Sequence, residues 1–176
     1  TYILGKNSIK NLFGKKTEFT ILSEFKGSEL VGLEYKPLFT YMRDEDAKNN
    51  YSRTYKVLSD PYVTEGKIGT AIVHLAPAFG EDDFRVCEKN NVVDNVTVSN
   101  YCPIDESGRF TDVVPDYKEQ MVFDCDEDIR RRLKQMGNLI KTENYFHSYP
   151  YCWRTDTPLI YRTTKSWYIK VTALKD

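Results

Sequence analysis

The chain has 176 residues, 40% of them apolar and 29% charged, with a formal net charge of -1. That length suits one compact domain, and 13 Tyr with 9 Phe supply material for a core. Near-neutral charge argues against a strongly basic nucleic-acid binder while leaving room for a local RNA patch, and no run approaches the ~20 apolar residues of a membrane span.

Ser8 to Phe13 spaces Ile9, Leu12 and Phe13 at i, i+3 and i+4 ahead of Gly14, which predicts a short helix. Phe19 and Ile21 alternate with polar neighbours, as in a strand. From Phe25 to Tyr41, the residues Gly27, Gly32 and Pro37 punctuate the chain into short strands and turns. The polar run 43–50 reads as an exposed loop, Tyr55 and Val57 as another strand, and Pro61 with Gly66 as turn chemistry. Further strand signals lie at Thr70 to Val73, Val92 to Val98, Gly108 to Val114 and Asn144 to Phe146.

The clearest helix falls near 125–136, with Asp124 as its cap and Glu127 at the capping-box position. Ile129, Leu133 and Met136 form its apolar stripe and Gly137 its stop. Arg130, Arg131, Arg132 and Lys134 on this helix read either as a solvated face or as an RNA contact. Near the end, Trp167, Ile169 and Val171 alternate with Tyr168 and Lys170, the pattern of a core-facing strand. Many short strands with two helices predict an α+β domain: a curved β-sheet or small β-barrel core with short peripheral helices.

Cys87, Cys102, Cys125 and Cys152 are widely separated and lack paired zinc spacing. Three disulfide connectivities would be open to them in an oxidised protein. A domain this large does not need staples, and no signal peptide is present in the sequence, so reduced thiols in a cytoplasmic protein are expected. The opening on Thr1-Tyr-Ile-Leu4 and the stop at Asp176 read as cuts from a larger protein.

The run from Gly69 to Asp83 changes character abruptly. Ile72 and Val73 suit a buried strand, and Pro77 and Gly80 force a bend. Glu81, Asp82 and Asp83 then open a helix bearing Phe84, Val86 and Cys87. Carboxylates there serve the exposed amides of a helix start, or one of them faces a pocket and binds an ammonium group. His74 reads as a hydrogen-bonded structural residue or as part of a site with Asp83. No Gly-x-Ser-x-Gly elbow, Walker loop, Rossmann fingerprint or calcium loop occurs.

Gly69-Thr-Ala-Ile-Val-His-Leu-Ala-Pro-Ala-Phe-Gly-Glu-Asp-Asp83 resembles the editing (CP1) insertion of isoleucyl-tRNA synthetases, class I enzymes. The stretches 25–35, 101–110, 147–154, 157–161 and 166–171 resemble the same family almost end to end, with a flavour of its eukaryotic cytosolic form. The resemblance implies that residues 1–176 are part of an editing domain, which hydrolyses valine misattached to tRNA(Ile). Such proofreading is needed because one methylene discriminates only about 10–200-fold in an apolar pocket.

On that resemblance, Asp83 binds the α-ammonium of the misattached residue and His74 sets side-chain specificity. Gly69, Thr70, Ala71, Pro77, Ala78 and Phe79 form the pocket wall. Ala71 departs from the Gly common in the family. The family's threonine-rich segment has no counterpart here, which leaves an amino-acid or tRNA-binding module without turnover as the alternative. No metal or cofactor is implied for editing; ATP and Mg2+ serve the parent's synthetic site, where isoleucine is joined to tRNA(Ile). Implied partners are the tRNA(Ile) acceptor end, the misattached valine and the remaining synthetase domains. The parent would be a cytoplasmic monomer or a member of a multisynthetase assembly, away from membranes.

Overall fold

The computed structural model describes residues 1–14, 17–42, 54–64 and 69–175. The loop expected at 43–50 and the turn residue Gly66 lie outside them. Among the described residues three α-helices are formed: α1 (Ile9–Phe13), α2 (Glu81–Lys89) and α3 (Asp126–Gln135). Short 3-10 turns lie between them, including Val98–Tyr101, Pro115–Tyr117 and Val122–Cys125.

Each helix ends where local chemistry dictates. α1 stops at Gly14, whose N–H closes the last turn on the Lys10 carbonyl at 3.0 Å and whose φ of 74° then turns the chain out of the helix. At the end of α3, Gly137 has φ 72°. Its N–H bonds Lys134 O at 3.1 Å, and Asn138 N–H bonds Leu133 O at 2.9 Å. That pair of bonds is a Schellman closure. The start of α3 differs from expectation. Asp124 lies in the preceding 3-10 turn, and Cys125 holds the cap position without a side-chain cap bond.

Two small apolar clusters hold the elements. Ala78, Cys87, Val92, Val93 and Val98 form the first, with Leu75, Phe79 and Phe84 against them. Val114, Tyr117 and Cys125 form the second, flanked by Tyr41, Phe110 and Ile129. Arg132 on α3 is an anchor as well as a surface charge. It bonds Asp116 and donates to the Tyr41 hydroxyl at 2.9 Å, while its guanidinium lies 5.6 Å from the Phe39 ring centroid. The neighbouring Arg131 pairs with Asp128 on its own helix. All four cysteines are free thiols.

Between the clusters, residues 104–122 double back tightly through the bridges Ile104–Phe110 and Arg109–Met121. Gly108, with φ 76°, has Ile160 Cδ1 2.7 Å from where a Cβ would stand, so the later segment crosses directly over it. Thr163 N–H then bonds Ala78 O at 2.8 Å, tying that segment to the first cluster.

The expected curved sheet or barrel is not formed. Among the described residues there is no β-strand, only four isolated antiparallel bridges, so the α+β reading is corrected to short helices and turns with extended connections. The editing-domain fold inferred from resemblance is overturned on the same ground. The physical reason is that period-2 alternation defines two faces of an extended segment but does not provide a neighbour to bond its edges. Trp167, the first residue of the alternation expected to face a core, is 103% exposed. The accessible surface is 14358 Å². A compact monomer of this mass would show about 8,900 Å².

Candidate functional site at the bend before α2

The segment from Gly69 to Asp83 enters through a turn rather than a buried strand. Gly69 and Ala71 have φ of 82° and 61°. The Thr70 hydroxyl accepts the Ile72 N–H at 3.3 Å and donates to Ile72 O at 2.9 Å, which closes a local loop. Gly5 N–H bonds Thr70 O at 2.7 Å and pins this turn to the N-terminal segment. Ile72, Val73 and His74 are exposed, so the strand expected at Thr70 to Val73 is corrected.

The chain then bends through Pro77, Ala78 and Phe79, with Phe79 N–H on Ala76 O at 2.8 Å and Ala78 buried. Gly80 takes the cap position of α2 in extended conformation, with no side-chain cap bond. Asp83, in the first turn, reaches back over it. Its Oδ2 accepts the Ala76 N–H at 3.1 Å, and its Oδ1 accepts the Tyr62 hydroxyl at 3.4 Å. A Cβ on Gly80 would stand 2.8 Å from Asp83 Oδ2. The glycine therefore gives the carboxylate room to fold onto the bend.

Around this carboxylate lies a second layer that the sequence did not reveal. Arg85 donates from both Nη atoms to the two oxygens of Asp60, each at 3.0 Å, and from Nε and Nη2 to Asp82 at 3.3 and 3.1 Å. Asp60 Oδ1 also accepts the Tyr62 N–H at 3.2 Å, and the Arg85 guanidinium lies 5.8 Å from the Tyr62 ring centroid. The Asp60 side chain is only 4% exposed, and the Arg85 guanidinium bonded to it holds its carboxyl down at about 2. Burial, and next the charge of Asp83, push the Tyr62 hydroxyl upward and the Cys87 thiol up to about 11. The only sequence signals were Asp60-Pro61 as a turn starter and Asp82 with Arg85 at i, i+3.

The predicted residues thus separate. Asp83 joins the Pro77–Phe79 bend through Ala76, whereas His74 is exposed and makes no hydrogen bond or ion pair with Asp83 among the described residues. Nor do the described residues hold a group of three or more His, Cys, Asp or Glu arranged to hold a metal ion. Without a sheet, and without a catalytic cluster among the described residues, the hydrolytic proofreading pocket expected from resemblance is not assembled. That function is withdrawn in favour of binding without turnover. No helix among the described residues is long and apolar enough to cross a membrane.

No model of a known protein family matches the chain. Individual proteins do, along nearly all of it, and each is an isoleucine--tRNA ligase. The chain is 45% identical over 181 residues to the isoleucine--tRNA ligase of Rickettsia bellii, an alignment covering 99% of the chain and 15% of that protein. It is 48% identical over 159 residues to that of Rickettsia canadensis, covering 90% of the chain and 13% of the relative. For Rickettsia typhi the identity is 44% over 181 residues, covering 99% and 15%. The chain therefore spans about 15% of the length of the curated relatives it matches.

Proposed function

We propose that this chain is a ligand-binding segment of an isoleucine--tRNA ligase, gripping the α-ammonium of an amino acid at Asp83 without hydrolysing its ester. The observation that carries this reading is the partnering of the Asp83 carboxylate. It is half-buried and bonded to two neutral donors, Ala76 N–H and the Tyr62 hydroxyl, and no cation pairs with it among the described residues. Arg85, two positions away, is spent on Asp60 and Asp82. A half-buried carboxylate with an unmet charge is complementary to an ammonium ion, which makes short charge-assisted hydrogen bonds.

The ligand would be a small aliphatic residue such as valine, carried on the acceptor end of tRNA(Ile). Gly69, Thr70 and Ala71 on one side and Pro77, Ala78 and Phe79 on the other would bound it, with His74 at the side-chain end. The whole ligase would join isoleucine to tRNA(Ile) with ATP and Mg2+ in regions of the relatives beyond this segment, in the cytoplasm.

The test is a titration of the 176-residue chain with valine methyl ester and with its N-acetyl form, followed by backbone amide chemical shifts. The free ammonium form should shift the amides of residues 76–84, the acetylated form should not, and Asp83→Asn should weaken binding at least tenfold. Equal binding of both esters, or an unchanged Asp83→Asn variant, would overturn the assignment.

A further inference from the structure

Two runs of the chain leave their backbone groups and apolar side chains unused: 17–25, after α1, and 163–170, before the 3-10 turn Val171–Ala173. Neither contains a helix, turn or bend. Among the described residues no backbone–backbone hydrogen bond involves 18–25 or 164–168. Phe19 and Ile21 in the first run, and Trp167 and Ile169 in the second, are exposed. They hold alternate positions, which places each pair on one side of its run.

The two runs are held separately within one chain. The Thr17 hydroxyl donates to Phe13 O, and Glu24 pairs with Lys6 at 2.8 Å, so the first run is tied to the N-terminal segment. The second starts from Thr163 N–H on Ala78 O, at the first apolar cluster. Neither the Glu18 carboxylate nor the Lys170 ammonium has an ion-pair partner among the described residues.

One antiparallel register makes the runs complementary. With Phe19 opposite Ile169, Ile21 falls opposite Trp167. The same register sets Glu18 opposite Lys170 and Thr20 opposite Tyr168 on the other face. Aromatic against β-branched, twice over, together with an opposite-charge pair, are combinations that stabilise an antiparallel ladder. A slip of one residue either way sets Glu18 against Val171 or Ile169 and loses the ion pair. Pairing 164–171 with its own copy offers its lysines no carboxylate at all. We propose that two copies of this chain associate by antiparallel pairing of 18–21 in each with 167–170 in the other, the contact forming twice about a two-fold axis. The accessible surface of 14358 Å², against about 8,900 Å² for a compact monomer, leaves uncovered more than the ~1,600 Å² that a standard interface buries. This contact uses neither Asp83 nor the bend before α2.

Sedimentation equilibrium of the 176-residue chain, from micromolar to submillimolar concentration, should show reversible exchange between monomer and dimer. Trp167→Ala and Phe19→Ala should each weaken the dimer at least tenfold; both rings are exposed, so their removal leaves the two apolar clusters in place. Glu18→Lys sets lysine against lysine in both contacts, and Lys170→Glu sets glutamate against glutamate. Each variant alone should therefore dimerise about tenfold more weakly. Mixed in equal amounts they should recover, because both contacts of the mixed pair again join opposite charges. Pairing within a single chain would not respond to mixing. A chain that stays monomeric throughout, a dimer that Trp167→Ala leaves unchanged, or a mixture no tighter than its components would each overturn the proposal.

Discussion

Arg85 meets Asp60 fork to fork, both Nη atoms 3.0 Å from the two carboxylate oxygens, across 25 positions of sequence. The pair links the loop carrying Tyr62 to α2, and Tyr62 in turn contacts Asp83. It therefore holds Tyr62 beside the Asp83 carboxylate. A lysine supplies the charge at this position but not the planar fork, so Arg85→Lys should lower the urea midpoint and loosen amide protection at Tyr62. Hydrogen exchange at Tyr62 and Ala76 measures it; protection equal to wild type would show that the fork is dispensable.

Acid should act through the same pair. Asp60 is held at about 2 in the folded chain against its usual 3.8, so its contribution is complete above 3.8 and fades as pH falls towards 2. Asp116 and Asp128 are lowered too, each first by a hydrogen bond from a tyrosine hydroxyl and then by an arginine. Denaturation midpoints should fall through that window, and Asp60→Asn, already weaker at neutral pH, should show a shallower fall.

Alkali should act at Tyr41. Burial first, and then its bond to Asp116, push its hydroxyl up to about 12. A protonated form favoured by folding stabilises fully below 10 and is lost as pH rises through about 12. The Tyr41→Phe variant should lose the 2.7 Å bond to Asp116 at neutral pH and respond less to pH between 10 and 12. Ultraviolet titration of tyrosinate beside circular dichroism tests both.

Ala71 sits where glycine is favoured, at φ 61°. A left-handed conformation costs a residue with a Cβ about 1 kcal/mol, so Ala71→Gly should stabilise the chain despite greater freedom when unfolded. Urea unfolding measures the sign; a destabilised variant would mean the turn does not hold in solution.

Val86 on α2 is 1% exposed. Truncation to Ala should cost about 2 kcal/mol from lost burial and the space left behind.

The helices were legible because their signals are local. Apolar spacing and a following glycine place α1 and α3 within a few residues, and the acidic run places the start of α2. The strands were not, since Trp167 and Ile169 announce a face without saying what covers it, and both are bare. For Asp83 the sequence offers two readings, a helix-start carboxylate and a ligand for an ammonium group. The Ala76 bond shows it folded back on the bend. Asp60 and Arg85 went unnoticed because nothing in a single sequence couples positions so far apart. The resemblance points to the same ligases that the relatives are named for but misleads on the fold, since similarity in sequence does not dictate which contacts a 176-residue stretch makes by itself.

The uncovered segment around Trp167 has a consequence for how such a protein is made. An extended run with bare apolar side chains and unbonded edges is what a chaperone grips and what a second nascent chain can pair with. While such a chain is being synthesised, this stretch would need shelter. Its exposure makes it the natural place to look for delayed folding.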